Sequence, residues 1–346
     1  MYILAADIGG TKSWLCLYDV DQVDTRKIKI VYEYRYASAN FSNFSLLLND
    51  FLQKVKTKTL LGIDLMCLAL PGVITQGLCY LTNLDWILDQ KQLQKEFSLR
   101  EVLFLNDFQA AAMGVNYLNE EDYITLNPAK RKKQAITVVT GAGTGLGLAW
   151  MDSSQTSFQL FSTEGGHCDF APVNEQQIEL LRFLRRFYDH VSYERILSGE
   201  GLVKLYQFFN PDDLASKNVE TSIMTQLIHH LATHVDAKWH PQAKAAIDLF
   251  VQIYAAYIGN LALLYKPAGG IYIAGGIAIH ILPWMQEQQF LTHYLNKGRM
   301  RHLAEKTALY LVTNTRLGLQ GALHFAIHQY IKNEGFYNDK TTKRTV

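Results

Sequence analysis

The stretch Tyr2-Ile3-Leu4-Ala5-Ala6-Asp7-Ile8-Gly9-Gly10-Thr11-Lys12-Ser13-Trp14-Leu15-Cys16-Leu17-Tyr18 decides the fold: an apolar run, a paired-glycine turn and a second apolar run. A third run, Ile28 to Arg35, places Ile28, Ile30, Tyr32 and Tyr34 at every second position, so three antiparallel strands are predicted. Phe44, Leu47, Leu48, Phe51, Leu52 and Val55 then recur at helical spacing behind a Ser42 or Asn43 cap, followed by a strand over Ile63 to Leu70. The order is βββαβ. A strand over Val102 to Leu105 and a helix from Asp107 to about Val115 complete this unit, and the strand-rich segment Ala135 to Phe161 starts the series again. A shift of 133 positions lays Gly10-Thr11 on Gly143-Thr144, Leu15 on Leu148 and Asp19 on Asp152. Two related α/β units are expected, with their glycine turns facing one another across an interdomain cleft where a ligand would bind. Beyond them, Asn174 to Tyr265 reads as mostly helical and Gly270 to Ala274 as a short buried strand. Leu317 to Ile331 reads as a closing amphipathic helix, and residues 333–346 as a polar tail that frays.

Composition narrows the function classes. The 346 residues carry 33 Lys and Arg against 32 Asp and Glu, and 49% are hydrophobic, so the chain has ample apolar material for two domains and is not disordered. A net charge of +1 gives no electrostatic footprint for nucleic acid or an anionic membrane, and neither is expected as a partner. The basic run Lys130, Arg131, Lys132 and Lys133 reads as a solvated loop. Cys16, Cys67, Cys79 and Cys168 have no CxxC spacing and read as buried thiols of a reducing, cytoplasmic compartment. The N-terminus lacks the basic region of a signal peptide, and Ala245 to Tyr265 is interrupted by Asp248, Gln252 and Asn260, which favours a buried helix over a membrane span.

Several groups have the chemistry of a site. In Asp7-Ile8-Gly9-Gly10-Thr11-Lys12, adjacent glycines let successive N–H groups point at an anion, and Asp7 at a strand end suits Mg²⁺ held through water. An ordinary hairpin with a turn aspartate would look the same. The turn Thr140-Gly141-Ala142-Gly143-Thr144-Gly145-Leu146-Gly147 has glycine at every second position, which along extended chain bares one face of the backbone to phosphates. Neither turn matches a P-loop or the GxGxxG dinucleotide fingerprint. Gly275-Gly276 forms a third close-approach point after a strand. Asn106-Asp107 puts a carboxylate at the carboxyl end of a strand, where Asp107 as a helix N-cap is the plain alternative. Glu164, His167 and Glu194 offer two acids and an imidazole able to clamp a polyhydroxylated ligand, or else form ordinary surface polarity. His229, His230, His234 and His240 read as a solvated helical face, since no HExxH pattern accompanies them.

In this order the motifs resemble the bacterial glucokinase family, within the sugar kinase, actin and heat-shock ATPase superfamily. The resemblance runs from about residue 3 to residue 325. It rests on DIGGTK from Asp7, LPG from Leu70, TNLDW from Thr82, LNDFQA from Leu105, GAGTGLG from Gly141, EGGHCDFAP from Glu164, VSYERILSGEG from Val191 and AGGIA from Ala274. It implies a two-lobed, duplicated ribonuclease-H-like (actin-like ATPase) α/β fold. It also implies transfer of the γ-phosphoryl group of ATP to the 6-hydroxyl of glucose, with Asp107 as general base. Asn106, Glu164, His167 and Glu194, and with them Asn83, would bind the sugar hydroxyls. Asp7, Gly9, Gly10, Thr11, Lys12, Gly141, Gly143, Thr144, Gly145, Gly275 and Gly276 would serve ATP, with Asp7 carrying Mg²⁺. A homodimer is expected on the same ground.

Three departures stand out: Lys12 where many relatives have asparagine, Glu200 within an SGPG-like segment, and Ile279 where a proline-containing version is common. None removes a catalytic group. The related repressor and sugar-kinase family shares DIGGTK but adds a cysteine-rich zinc motif that this sequence does not contain, so structural zinc is not expected. The alternatives are a hexokinase preferring another sugar, a catalytically silent sugar-binding regulator, and an actin-like or chaperone ATPase. The smaller domain is placed at residues 1–115 plus about 315–332, and the larger at 116–314.

Overall fold

The computed structural model describes residues 1–56, 62–81, 84–155, 157–211 and 241–342. The chain forms two compact units, Met1–Leu118 with Thr315–Val346, and Asn119–Asn314.

In the first unit, β1 (Tyr2–Ile8), β2 (Lys12–Val20) and β3 (Ile28–Ala37) form an antiparallel meander, and β4 (Leu65–Leu70) and β8 (Glu101–Asn106) extend it as parallel strands in the order β3-β2-β1-β4-β8. Ile3 to Ala6 and all of β4 are buried because both faces of the sheet are covered, the situation in which strands become continuously apolar. On one face lies α1 (Phe44–Lys56), whose Phe44, Leu47, Leu48, Phe51 and Val55 enter the core. Asn43, not Ser42, caps this helix by accepting the Leu46 N–H at 2.9 Å. A small antiparallel sheet of β5 (Ile74–Thr75), β6 (Leu78–Tyr80) and β7 (Ile87–Asp89), followed by α2 (Gln90–Glu96), escapes the sequence pattern because its strands are too short to show a period.

Against the sheet pack α3 (Asp107–Gly114) and the C-terminal helix, which runs Leu317–Thr342 and so continues past Ile331. These two helices meet backbone to backbone. A Cβ on Gly321 would sit 1.7 Å from the Ala110 carbonyl oxygen, and one on Gly114 would sit 2.4 Å from that of Leu317.

The second unit repeats the scheme. β10 (Ile136–Ala142), β11 (Leu146–Asp152) and β12 (Gln159–Thr163) form a meander, joined in parallel by β13 (Gly270–Ala274) and β14 (Leu309–Val312), with β9 (Tyr123–Asn127) added at the edge. Ile8 pairs with Ser13 in the first meander and Ala142 with Leu146 in the second, so the second turn is one residue shorter. The shift of 133 therefore holds only on the far side of the turn. The helices are α4 (Glu175–Leu184), α5 (Gly199–Phe209), α6 (Pro241–Tyr265), α7 (Gly276–His280), α8 (Leu282–Met285), α9 (Gln288–Leu295) and α10 (Arg301–Glu305). Apolar enough by composition to cross a membrane, α6 instead lies in this unit's core, where Ile247, Phe250, Tyr254, Ile258 and Leu261 are buried between α5 and α9.

Two readings of single residues change. Cys168 is exposed, unlike the three buried cysteines. Arg131 of the basic run donates to the Tyr272 hydroxyl and lies over the Tyr310 ring at 5.6 Å.

The helix crossing generates a stability prediction. Gly321→Ala should force α3 and the C-terminal helix apart at a cost of about 1–3 kcal/mol or more, the range for overpacking. Thermal unfolding should show a midpoint several degrees lower, whereas alanine at the uncrowded Gly143 should move it far less.

Candidate active site

In the first unit, the acids stand at the carboxyl ends of β1 and β8, parallel strands on either side of β4. Asp7, the last residue but one of β1, pairs with Ala69 of β4, and Leu70 of β4 pairs with Asn106, the last residue of β8. Asn106, rather than Asp107, is the N-cap of α3. Its Oδ1 accepts the N–H groups of Phe108 at 3.0 Å and Gln109 at 3.4 Å, and Gln109 Oε1 accepts the Asn106 N–H in return. The residue read as an alternative N-cap therefore occupies the first helical position, with Asp107 Oδ1 accepting the Phe108 N–H at 2.9 Å. Because its carbonyl oxygen is committed to the cap, Asn106 presents its amide donors outward, one of them 3.5 Å from the Gly72 carbonyl. Gly72 belongs to the LPG motif, to which the sequence assigned no task. Cys79 lies close enough to Asp107 that its thiol, pushed up to about 11 chiefly by burial, is raised further by that charge.

The Asp7 carboxyl rests on the first turn of the C-terminal helix, where a Cβ on Gly318 would fall 2.8 Å from Oδ2. No ion pair or hydrogen bond to the Asp7 carboxylate is found among the described residues, and desolvation pushes its pKa up to about 6. A half-buried carboxylate lacking a counter-charge fits a cation site of the kind that uses one protein carboxylate plus phosphate and water. Lys12 is exposed at the start of β2, its carbonyl accepting the Gly9 N–H at 2.9 Å.

In the second unit, the glycine turn and the sugar-shell candidates form one cluster. Only Gly141 and Gly147 lie on the ladder, paired with one another; Gly143 and Gly145 close the turn, with the Gly143 N–H on the Gly145 carbonyl at 2.8 Å. The expected row of glycines along one extended face is thus broken by the turn. Gly145 has a different reason to be glycine: a Cβ there would lie 2.5 Å from Glu194 Oε2. That oxygen accepts the Leu146 N–H at 2.8 Å. The other Glu194 oxygen lies 3.5 Å from His167 Nε2, which is 3.9 Å from Glu164 Oε2. Glu194 is the most sheltered of the three side chains at 27% exposure, against 56% for His167 and 71% for Glu164.

The backbone stitches these residues together. The Glu194 N–H donates to Gly166 O at 2.9 Å, the Tyr193 N–H to Cys168 O at 3.0 Å, and the Gly199 N–H, at the start of α5, to Gly143 O at 2.9 Å. Gly275, at φ 95°, lies against the Ala142 carbonyl, bringing the Gly275-Gly276 pair beside the same turn. A Cβ on Gly143 or Gly276 would meet nothing within 4 Å. Packing does not demand glycine at these two positions, and open space is left beside the backbone there, although the Gly143 N–H and carbonyl are themselves engaged by Gly145 O and the Gly199 N–H.

Asn83 and the histidines at 229, 230, 234 and 240 lie outside the described residues. Among the described residues no group of three or more His, Cys, Asp or Glu could hold a metal by itself. Tyr193, missed in the sequence, has a central structural position that only the tertiary contacts reveal.

Comparison with known proteins extends the geometry. The sequence model of the glucokinase family matches residues 4–329. A glucokinase from Nostoc sp. is 36% identical over 336 residues, covering 92% of this chain and 97% of that protein. The crystal structure of a glucokinase from an Antarctic psychrotroph superposes with a TM-score of 0.79 at 28% identity, covering 94% of this chain and 99% of the other. A ROK family glucokinase from Streptomyces griseus, solved in complex with glucose and AMPPNP, shares the fold at a TM-score of 0.62 and 17% identity, covering 95% of this chain and all of that one. With its acid-and-histidine cluster, its glycine turns and a family match across nearly its whole length, the chain belongs to the glucokinase family, enzymes that phosphorylate glucose.

Proposed function

We propose that this enzyme transfers the γ-phosphoryl group of ATP to the 6-hydroxyl of glucose with Asp107 as general base, and that Asn83, Asn106, Glu164, His167 and Glu194 bind the sugar. The observation that carries this reading is the convergence of Glu194 and Glu164 on His167 Nε2, at 3.5 and 3.9 Å, beside a backbone turn with room for a ligand. Carboxylates accept hydroxyl protons and an imidazole can donate or accept, so such a set recognises a polyol.

As the 6-oxygen attacks the γ-phosphorus, its proton passes to Asp107, the new O–P bond forms and the bond to the ADP oxygen breaks. Asn106 contributes amide donors, its carbonyl being spent on the cap of α3. Asp7, with Gly9, Gly10, Thr11 and Lys12, serves the phosphates from one turn, and Gly141, Gly143, Thr144, Gly145, Gly275 and Gly276 serve ATP from the others. Asp7 would hold Mg²⁺ through water, and the ion would neutralise phosphate charge. A cytoplasmic homodimer is the setting the family resemblance favours.

ADP release measured with Mg·ATP and glucose, mannose, fructose, N-acetylglucosamine or no sugar tests the reading. Glucose should drive turnover well above the rest, and Asp107→Asn should lower kcat by about two or more orders of magnitude, the share of a general base. Turnover indifferent to sugar would contradict it.

Asp7 generates a second prediction. Its carboxyl ionises around pH 6 instead of near 4, so the charge that attracts a cation appears as pH rises through about 6. Mg·ATP affinity, followed by titration calorimetry, should strengthen across that interval in the native enzyme more steeply than in Asp7→Asn. Identical pH profiles would remove Asp7 from the metal site.

A further inference from the structure

Lys297 is an ammonium in an unusual position. It follows α9, it is only partly exposed, and among the described residues no carboxylate lies within ion-pair distance of it. Its Nζ instead donates to the Ala256 carbonyl and to Asn260 Oδ1, both at 2.8 Å. Desolvation without a compensating acid lowers its pKa to about 8. Gly259 makes the approach possible, because a Cβ there would stand 2.4 Å from Lys297 Cε.

An ammonium has donors only, so it fixes which way the Asn260 amide faces: Oδ1 toward Lys297 and Nδ2 away. Nδ2 then donates to the Tyr193 hydroxyl, 3.3 Å distant. Tyr193 is buried, its ring edge-on to Phe170 at 5.8 Å and tilted against Tyr257 at 4.9 Å. Its backbone joins the two segments that carry the sugar-shell residues, through its N–H on Cys168 O and that of the adjoining Glu194 on Gly166 O.

We infer that Lys297, Asn260 and Tyr193 form a polar strut from the core helix α6 that positions Glu194 and His167 for glucose, making Lys297 a positioning residue for sugar affinity. The inference rests on the reading of Glu194 and His167 as glucose ligands. None of the three strut residues touches substrate in this account. They act by removing freedom from the loop 164–172 and from the segment around Glu194, so that the ligand does not have to order them on binding.

The test compares glucose KM, ATP KM, kcat and thermal midpoint for Lys297→Met, Asn260→Asp, Tyr193→Phe, the double variant Lys297→Met/Tyr193→Phe, and Glu194→Gln. Lys297→Met and Tyr193→Phe should each raise glucose KM about three- to tenfold, the equivalent of one lost hydrogen bond, with ATP KM and kcat at saturating sugar changed less than about twofold. The double variant should be no worse than either single one, since the residues act in series. Asn260→Asp is the contrast: its carboxylate pairs with Lys297 and accepts the Tyr193 hydroxyl proton, so the chain of hydrogen bonds persists with that bond reversed, and glucose KM should stay within about twofold of the native value. Unchanged glucose KM in Tyr193→Phe, a rise in Asn260→Asp as large as that in Tyr193→Phe, or additive effects in the double variant would overturn the strut while Glu194→Gln still weakens glucose. If Glu194→Gln leaves glucose KM unchanged, the sugar-shell reading falls and the strut with it. Should Lys297→Met fail to fold, Tyr193→Phe and Asn260→Asp decide the matter.

Discussion

Where α3 crosses the C-terminal helix, backbone lies on backbone, and the first unit is built around that contact. Gly114 and Gly321 face Leu317 and Ala110 across a gap in which no side chain fits. The close approach seats both helices on the strands of the sheet and brings their first turns to its carboxyl edge. Asp107 opens one helix, and the carboxyl of Asp7, at the end of β1, rests on the first turn of the other. Two acids far apart in sequence are thereby placed at the ends of parallel strands, where α/β sheets commonly keep their ligand sites. The rest of that site depends on which residue does which task. Asn106 satisfies the helix amides, so Asp107 is not the cap of its own helix.

The second unit solves a related problem with a side chain. One oxygen of Glu194 is hydrogen-bonded to the first N–H of β11, just after the glycine turn, and the other faces His167. The carboxylate is therefore shared between the turn read as a phosphate cradle and the residues read as a sugar shell. Gly145 exists as glycine to make room for it, whereas a Cβ on Gly143 or Gly276 would face open space. Glycine is thus demanded by close packing at one of these positions and not at the others, a distinction that the pattern GAGTGLG by itself does not draw.

Much of the architecture was legible in the sequence because its signals are local and periodic. The alternation through Ile28, Ile30, Tyr32 and Tyr34, the helical spacing from Phe44 to Val55 and the buried run of β4 each declare their element directly. The repeat was legible as well, although a turn shortened by one residue confined the matching register to its far side. What could not be read lies in short strands and in contacts distant along the chain. β9 and β14 pair across most of the second unit's sequence, and their few residues show no period of their own. Glu164, His167 and Glu194, whose residue types suit a polyol or ordinary surface polarity alike, do come together within one unit. The roles of Gly72, Tyr193 and Lys297 stayed hidden because each depends on a partner supplied by tertiary structure.

The account assigns binding of the sugar and activation of its 6-hydroxyl to different side chains, and that division is its central claim. Equilibrium titration of glucose, without nucleotide, into the native enzyme, Asp107→Asn and Glu194→Gln measures it directly. Asp107→Asn should hold glucose within a few-fold of the native affinity, because the amide keeps an acceptor for the hydroxyl, whereas Glu194→Gln should bind about tenfold or more weakly through loss of a charge-assisted hydrogen bond. The opposite order, with glucose lost in Asp107→Asn and retained in Glu194→Gln, would contradict the account.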